Sequence, residues 1–254
     1  MTSNAAFIWD IDGVVLDSPH EDAWRLTVMK EPWNEDGLSS DFYFTHVASR
    51  PRFEGANNIL ELLGVYERLG ATTDGEKREL MYEYAAEKDA LIKDLIERGE
   101  FKLFPDAVAL LLKARRAGIF QAAASASKNA APMLRNVPRS RVLREVGDDF
   151  GALAEGETLY SVFDFDACGI DVGGKEEILK YAADGLAALP GVEIGRIFVF
   201  EDAPSGVEAA MSLGYHAVGV FRIGEWEALE EAGAEIVTAN LGTVEVEDLL
   251  GLGT

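Results

Sequence analysis

Short apolar runs alternate along this chain with stretches of helical period. Phe7-Ile8-Trp9 leads into Asp10, and the run from Ile119 to Ala124 leads into Ser125. Leu159 to Phe163 leads into Asp164, Ile197 to Phe200 into Glu201-Asp202, and Ala217 to Val220 into Phe221-Arg222. Runs without polar alternation predict strands buried on both faces, as in a parallel sheet. Helical patterns such as Asp106 to Ala117 and Ser205 to Leu213 lie between them. Strand and helix in turn predict an α/β fold with a doubly wound parallel sheet. Such sheets hold ligands at the C-terminal ends of their strands, where the polar residues gather here.

One stretch breaks the alternation. From Leu16 to Leu103 the pattern is helical throughout, with its longest helix predicted over Glu76 to Arg98. Leu80, Met81, Tyr84, Leu91, Ile92, Leu95 and Ile96 share one face of that helix. The expected organisation is therefore a core of residues 1–15 and 104–254 with a helical domain, 16–103, inserted after the first strand. Gly13 and the Phe104-Pro105 region are the expected hinges. Pro138 to Glu157, charged and without a clear period, reads as a loop or excursion.

Composition narrows the function. The 254 residues are 48% hydrophobic and 27% charged, enough for a large core without staples. A single cysteine, Cys168, excludes an internal disulfide, and three histidines leave little for a His-based metal site. No apolar run approaches the ~20 residues that span a bilayer. The start, MTSNAAFIWD, lacks the basic and apolar stretches of a signal peptide, so a cytoplasmic location is expected. Forty-five acidic residues against 23 basic ones give a net charge of −22. That surface repels nucleic acid and anionic membrane, so neither is expected as a partner. A small anionic substrate needs a local convergence of cations. The oligomeric state is not legible.

Three clusters carry candidate chemistry. Asp10-Ile11-Asp12-Gly13 places two carboxylates at a strand end, where a buried pair needs a cation or a shared proton; an ordinary Asp-Gly turn is the plain alternative. Glu201-Asp202 adds two acids at another strand end, and four carboxyls at neighbouring ends make an oxygen cage suited to Mg²⁺. Acids favoured by the dipole of the next helix would look the same. Ser125-Ala126-Ser127-Lys128-Asn129 offers hydroxyls and backbone N–H groups of the kind that bind phosphate, although Ser and Asn also cap helices.

In this order the clusters resemble the haloacid dehalogenase superfamily of phosphotransferases. The carriers are Asp10-Ile-Asp12-Gly-Val-Val, Ser125, a lysine, and Glu201-Asp202-Ala-Pro-Ser-Gly-Val-Glu-Ala-Ala. The resemblance covers nearly the whole chain. It implies a Rossmann-like core with an inserted cap. It also implies Mg²⁺-dependent phosphoryl transfer on a sugar phosphate through an aspartyl-phosphate. In that scheme Asp10 is the nucleophile and Asp12 the general acid/base, with the Asp12 backbone carbonyl on the metal. Asp10, Glu201 and Asp202 are the carboxylate ligands, and Ser125 is the phosphate-binding hydroxyl. Lys175 is the candidate for the third-motif lysine, with Lys180 as the fallback.

Further details resemble the β-phosphoglucomutase branch. Ala-Ser125-Ala126-Ser-Lys128-Asn129-Ala is close to that branch's second motif, which implies substrate contacts from this loop. His20-Glu-Asp-Ala-Trp24 matches its H-x-x-A-W, two residues nearer the first motif than expected. The resemblance implies that His20 couples cap closure to the acid/base, that Arg52 holds a distal phosphate and that Lys88 faces substrate. Each has a structural alternative. Ser18-Pro19-His20-Glu21 is also a capping box, solvated loop charges are the alternative for Arg50 and Arg52, and Lys88 either snorkels or faces a cleft. A sugar-phosphate phosphatase is the alternative to a mutase.

Overall fold

The computed structural model describes residues 5–33, 36–48, 50–222 and 226–251. In chain order the elements are β1 (Ala5–Trp9), β2 (Leu16–Asp17), α1 (His20–Val28), α2 (Ser40–His46), α3 (Arg52–Leu62), α4 (Val65–Arg68), α5 (Asp74–Glu97) and β3 (Lys102–Leu103). There follow α6 (Pro105–Arg116), β4 (Phe120–Ser125), α7 (Ala130–Arg135), α8 (Arg139–Glu145), β5 (Phe165–Cys168) and α9 (Lys175–Ala187). The last elements are β6 (Arg196–Glu201), α10 (Pro204–Ser212), β7 (His216–Val220), α11 (Trp226–Glu231), β8 (Ile236–Thr238) and α12 (Val246–Gly251). The chain divides into two compact units, residues 1–18 with 101–254, and residues 19–100.

In the first unit six parallel strands lie in the order β5-β4-β1-β6-β7-β8. The all-apolar β1 sits in the interior of the sheet because both of its faces are covered. Ala6 and Ile8 meet α9 and α10 residues such as Leu179 and Val207 on one face. Phe7 and Trp9 take the other, where Trp9 stacks on Phe200 with ring centroids 3.8 Å apart. The Trp9 indole donates to Gln121 Oε1 at 3.0 Å, and the Gln121 amide donates to the Leu111 carbonyl. A buried polar side chain is thereby satisfied, as the low-dielectric interior demands. β2 and β3 pair antiparallel, Leu16 opposite Leu103, as a short ribbon that the helical pattern did not announce.

Two readings of the sequence are corrected. The run Leu159 to Phe163 is not a strand. Leu159–Val162 is a 3₁₀ turn, and β5 begins two residues after the run, at Phe165. The apolar residues are buried as expected, but beneath α6 and α7 rather than in the sheet. Asp164 marks the switch: its carboxylate accepts from the Gln121 N–H and pairs with Arg115 at 2.6 Å. Within Pro138 to Glu157 a helix, α8, replaces the expected loop; its two turns bury only Arg141 and Val142, too little for a period to show.

The second unit is helical. Trp24, Val28, Trp33, Ile59, Leu60, Tyr66 and Tyr84 form its core. α5 starts at a capping box, Thr73 with Glu76, and buries Tyr84, Ile92, Leu95 and Ile96 from the expected stripe. The Tyr84 hydroxyl donates to the Trp24 carbonyl at 3.0 Å, tying α5 to α1.

Candidate active site

The sheet order brings the C-terminal ends of β5, β4, β1 and β6 side by side. Asp10 follows β1, and its N–H donates to the Phe200 carbonyl at 3.0 Å, so it is pinned beside Glu201, the last residue of β6. Asp10, Glu201 and Asp202 each offer a carboxylate oxygen within 4.8 Å of the others. Two glycines make room. At Gly13, with φ +94°, an added Cβ would overlap the Asp202 carboxylate, and at Gly206 it would overlap the Glu201 carboxyl.

Lys175, the first residue of α9, reaches into this cluster and forms ion pairs with Asp10 and Glu201. Lys180 is exposed and pairs with Asp184 instead. Burial alone would lower the Lys175 pKa, but the two carboxylates outweigh it and hold the ammonium charged far above neutrality. Burial pushes Asp10 up despite Lys175. Glu201 and Asp202 are likewise pushed up, first by burial and then, against the pull of Lys175, by their acidic neighbours. Once all three carboxyls are ionised, one ammonium leaves two negative charges, which a divalent cation would neutralise. The donor set is all oxygen, as a hard cation requires. The residues present therefore fit a bound divalent metal.

Asp12 is not part of that triad. The Ser18 hydroxyl donates to its Oδ2 at 2.7 Å and the Ser18 N–H to its Oδ1 at 3.0 Å. Burial raises the Asp12 pKa to about 6, against the lowering effect of the Ser18 hydrogen bonds. Ser18 thus makes no capping box, and no side chain caps α1. Sequence reasoning missed this contact, because two residues six apart meet only through the turn that follows β1.

Ser125 ends β4, buried, opposite Cys168 of β5. Its hydroxyl accepts the Ser127 N–H, and the Ser127 hydroxyl accepts the Asn129 N–H, both at 3.2 Å. Ala126 and Lys128 are exposed and Asn129 is half-buried. Burial, joined by the charges of Asp166 and Asp10, holds the Cys168 thiol far above its usual range, so it stays protonated.

The helical unit carries the other candidates. Lys88 is only 3% exposed, so it does not snorkel. Its Nζ lies 2.7 Å from His20 Nδ1 and 4.8 Å from the centre of the Trp24 ring. Burial, with the nearby positive charges of Lys88 and Arg52, lowers the His20 pKa to about 3. His20 is therefore neutral, and an ammonium donating to Nδ1 leaves the ring proton on Nε2. Arg52, at the start of α3, pairs with Asp89 of α5 at 2.7 Å, whereas Arg50 pairs with Glu54. Asp89 had no signal in the sequence, being one acid among many.

Among known proteins, the sequence profile of the haloacid dehalogenase-like hydrolases matches residues 5–214. A solved archaeal β-phosphoglucomutase from Pyrococcus sp. strain ST 04 is 35% identical, with 97% of each chain covered and a TM-score of 0.75. A β-phosphoglucomutase from Clostridium difficile is 25% identical, covering 99% of this chain and 96% of its own, with a TM-score of 0.61. CbbY from Rhodobacter sphaeroides, solved with xylulose-(1,5)bisphosphate, is 18% identical over 96% of each chain, with a TM-score of 0.59, a likeness of fold alone. No curated protein sequence matches the chain. No described helix is long and apolar enough to cross a membrane.

Proposed function

Because this chain belongs to the haloacid dehalogenase-like hydrolase family and is a phosphoryl-transfer enzyme, phosphomutase or phosphatase, we propose that it is a Mg²⁺-dependent sugar-phosphate mutase of the β-phosphoglucomutase kind. The observation that carries the reading is the Asp10 carboxylate, paired with Lys175 in a cluster with Glu201 and Asp202.

In this reading an Asp10 oxygen attacks phosphorus while the bond to the sugar oxygen breaks. Asp12 gives its proton to that leaving oxygen. A carboxyl titrating at about 6 is present in both protonation states near neutrality, which suits such an acid and its return as base. The proton then comes back from the hydroxyl that receives the phosphoryl group. Lys175 offsets the charge that builds on the phosphoryl oxygens. Ser125, Asn129 and the backbone at Ala126 and Lys128 hold those oxygens from the β4 loop. Asp10, Glu201 and Asp202, with the Asp12 carbonyl, would hold Mg²⁺, which supplies neutralisation of the repulsion between carboxylate and phosphate.

Arg52 takes the second phosphate of a sugar bisphosphate, because a guanidinium fork binds phosphate at two points. His20 acts as a neutral Nε2–H donor of the cap. Lys88 acts through His20, whose Nδ1 it contacts. Phosphorus NMR tests the whole. With β-glucose 1-phosphate and a trace of the 1,6-bisphosphate, glucose 6-phosphate is expected to outpace free phosphate. Free phosphate dominating from the start makes the protein a sugar-phosphate phosphatase instead.

A further inference from the structure

The cap holds a second knot of charge. Asp89 on α5 binds Arg52 through Oδ1 at 2.7 Å and Lys93, one turn on, through Oδ2 at 2.7 Å. Lys88 lies beside it in the chain, and His20 is close enough to feel the charges of Lys88, Arg52 and Asp89. Burial would raise the Asp89 pKa, but the Lys93 hydrogen bond and the charges of Arg52, Lys93 and Lys88 hold the carboxyl below its usual range. It is an anion throughout the working range. Three cations around one carboxylate make a local positive region in a chain of net charge −22.

Stability does not explain the pair. The Arg52 side chain is 50% exposed and that of Asp89 20%, and ion pairs of such exposure contribute little. Its effect on an anion is larger. A carboxylate beside a phosphate-binding guanidinium occupies part of the fork and repels the incoming charge.

We propose that Asp89 is a specificity-determining residue of the cap, which occupies one edge of the Arg52 guanidinium and so weakens its hold on a second phosphate. The inference rests on the assignment of Arg52 to that phosphate. It gives the weakening a purpose. A mutase must release the two ends of its bisphosphate and rebind them exchanged, so a distal site that binds too tightly slows turnover. Binding energy spent equally on every bound state lowers KM without raising kcat.

The test is calorimetry on the Mg²⁺-loaded full chain carrying Asp10→Asn to prevent turnover. The probes are glucose 1,6-bisphosphate, with two phosphates, and phenyl phosphate, with one. Adding Asp89→Asn is expected to tighten the bisphosphate about tenfold, less at high salt. Phenyl phosphate should stay within about twofold, which also shows that the fold is intact. The gain should vanish when Arg52→Ala is added. In the active enzyme, Asp89→Asn should lower KM and kcat together. Unchanged or weaker bisphosphate binding, or a gain that survives Arg52→Ala, overturns the proposal. If Arg52→Ala alone leaves bisphosphate affinity untouched, the assignment of Arg52 fails and this inference falls with it. If Arg52→Ala weakens binding but Asp89→Asn does not tighten it, only this inference falls.

Discussion

Asp10 and Asp12 are two residues apart and chemically identical, yet their surroundings separate them. Asp10 is paired with an ammonium that stays charged, which opposes the upward push of burial on its carboxyl. Asp12 is held by a hydroxyl and an N–H, with a pKa near 6, so it carries a proton part of the time. An ammonium partner suits the nucleophile of the proposed mechanism, and a hydroxyl partner suits its acid. Asp10→Asn should abolish turnover while far-UV circular dichroism stays native, because the amide forms no acyl-phosphate. Wild-type activity in that variant would remove the mechanism. In the role proposed for Arg52, Arg52→Ala removes one charge-assisted contact to phosphate, worth roughly 1.5–3 kcal/mol, or about 10- to 150-fold in kcat/KM. The loss should appear with a sugar bisphosphate and be nearly absent with an aryl phosphate. Equal losses on both would contradict the distal-phosphate role.

Elements decide where those residues stand. The register Trp9 opposite Phe200, reinforced by their ring stack, sets Asp10 beside Glu201. The first turn of α10 then passes so close to Glu201 that only a glycine fits at position 206. This is a close approach, not a matter of backbone dihedrals. Gly206→Ala must push either the helix or the carboxyl aside. A misplacement of about 1 Å within such a site costs on the order of 100-fold in rate, so kcat/KM should fall by about that factor. A Mg²⁺ titration followed by tryptophan fluorescence should show weaker binding. Wild-type kinetics in this variant would mean that Glu201 is free to move without consequence.

For the whole molecule, the carboxylate cluster is a destabilising feature until it is filled. A carboxyl whose folded pKa is raised binds its proton more tightly when folded, so stability is lost as pH rises through the folded value. Asp202, at about 7, and Glu201, at about 8, titrate together between pH 6.5 and 8. His20, lowered to about 3, works in the opposite direction, costing stability only as pH falls below its ordinary 6.5. The metal-free protein should therefore lose a few degrees of Tm from pH 6.5 to 8. Mg²⁺ should restore them, with its largest effect at pH 8. Differential scanning calorimetry with EDTA and with excess Mg²⁺ measures both. A Tm independent of pH and of metal would contradict the cage.

The α/β alternation, the inserted helices and the chemistry-bearing motifs were determined by the sequence, because each is written locally. An apolar run buried on both faces, a helical stripe, and acids placed just past a strand all repeat within a few residues. The strand after α8 was misplaced because an apolar run records burial and not what buries it; Leu159 and Val162 are covered by helices, and the sheet resumes only once Asp164 has met Gln121 and Arg115. Only the tertiary structure chose between Lys175 and Lys180 as the partner of Asp10, since that contact joins residues 165 positions apart. It also turned Ser18 from a helix cap into the partner of Asp12, set Lys88 on His20, and placed Asp89 on Arg52. These are pairings between elements, and composition and period carry no record of which side chains packing brings within reach.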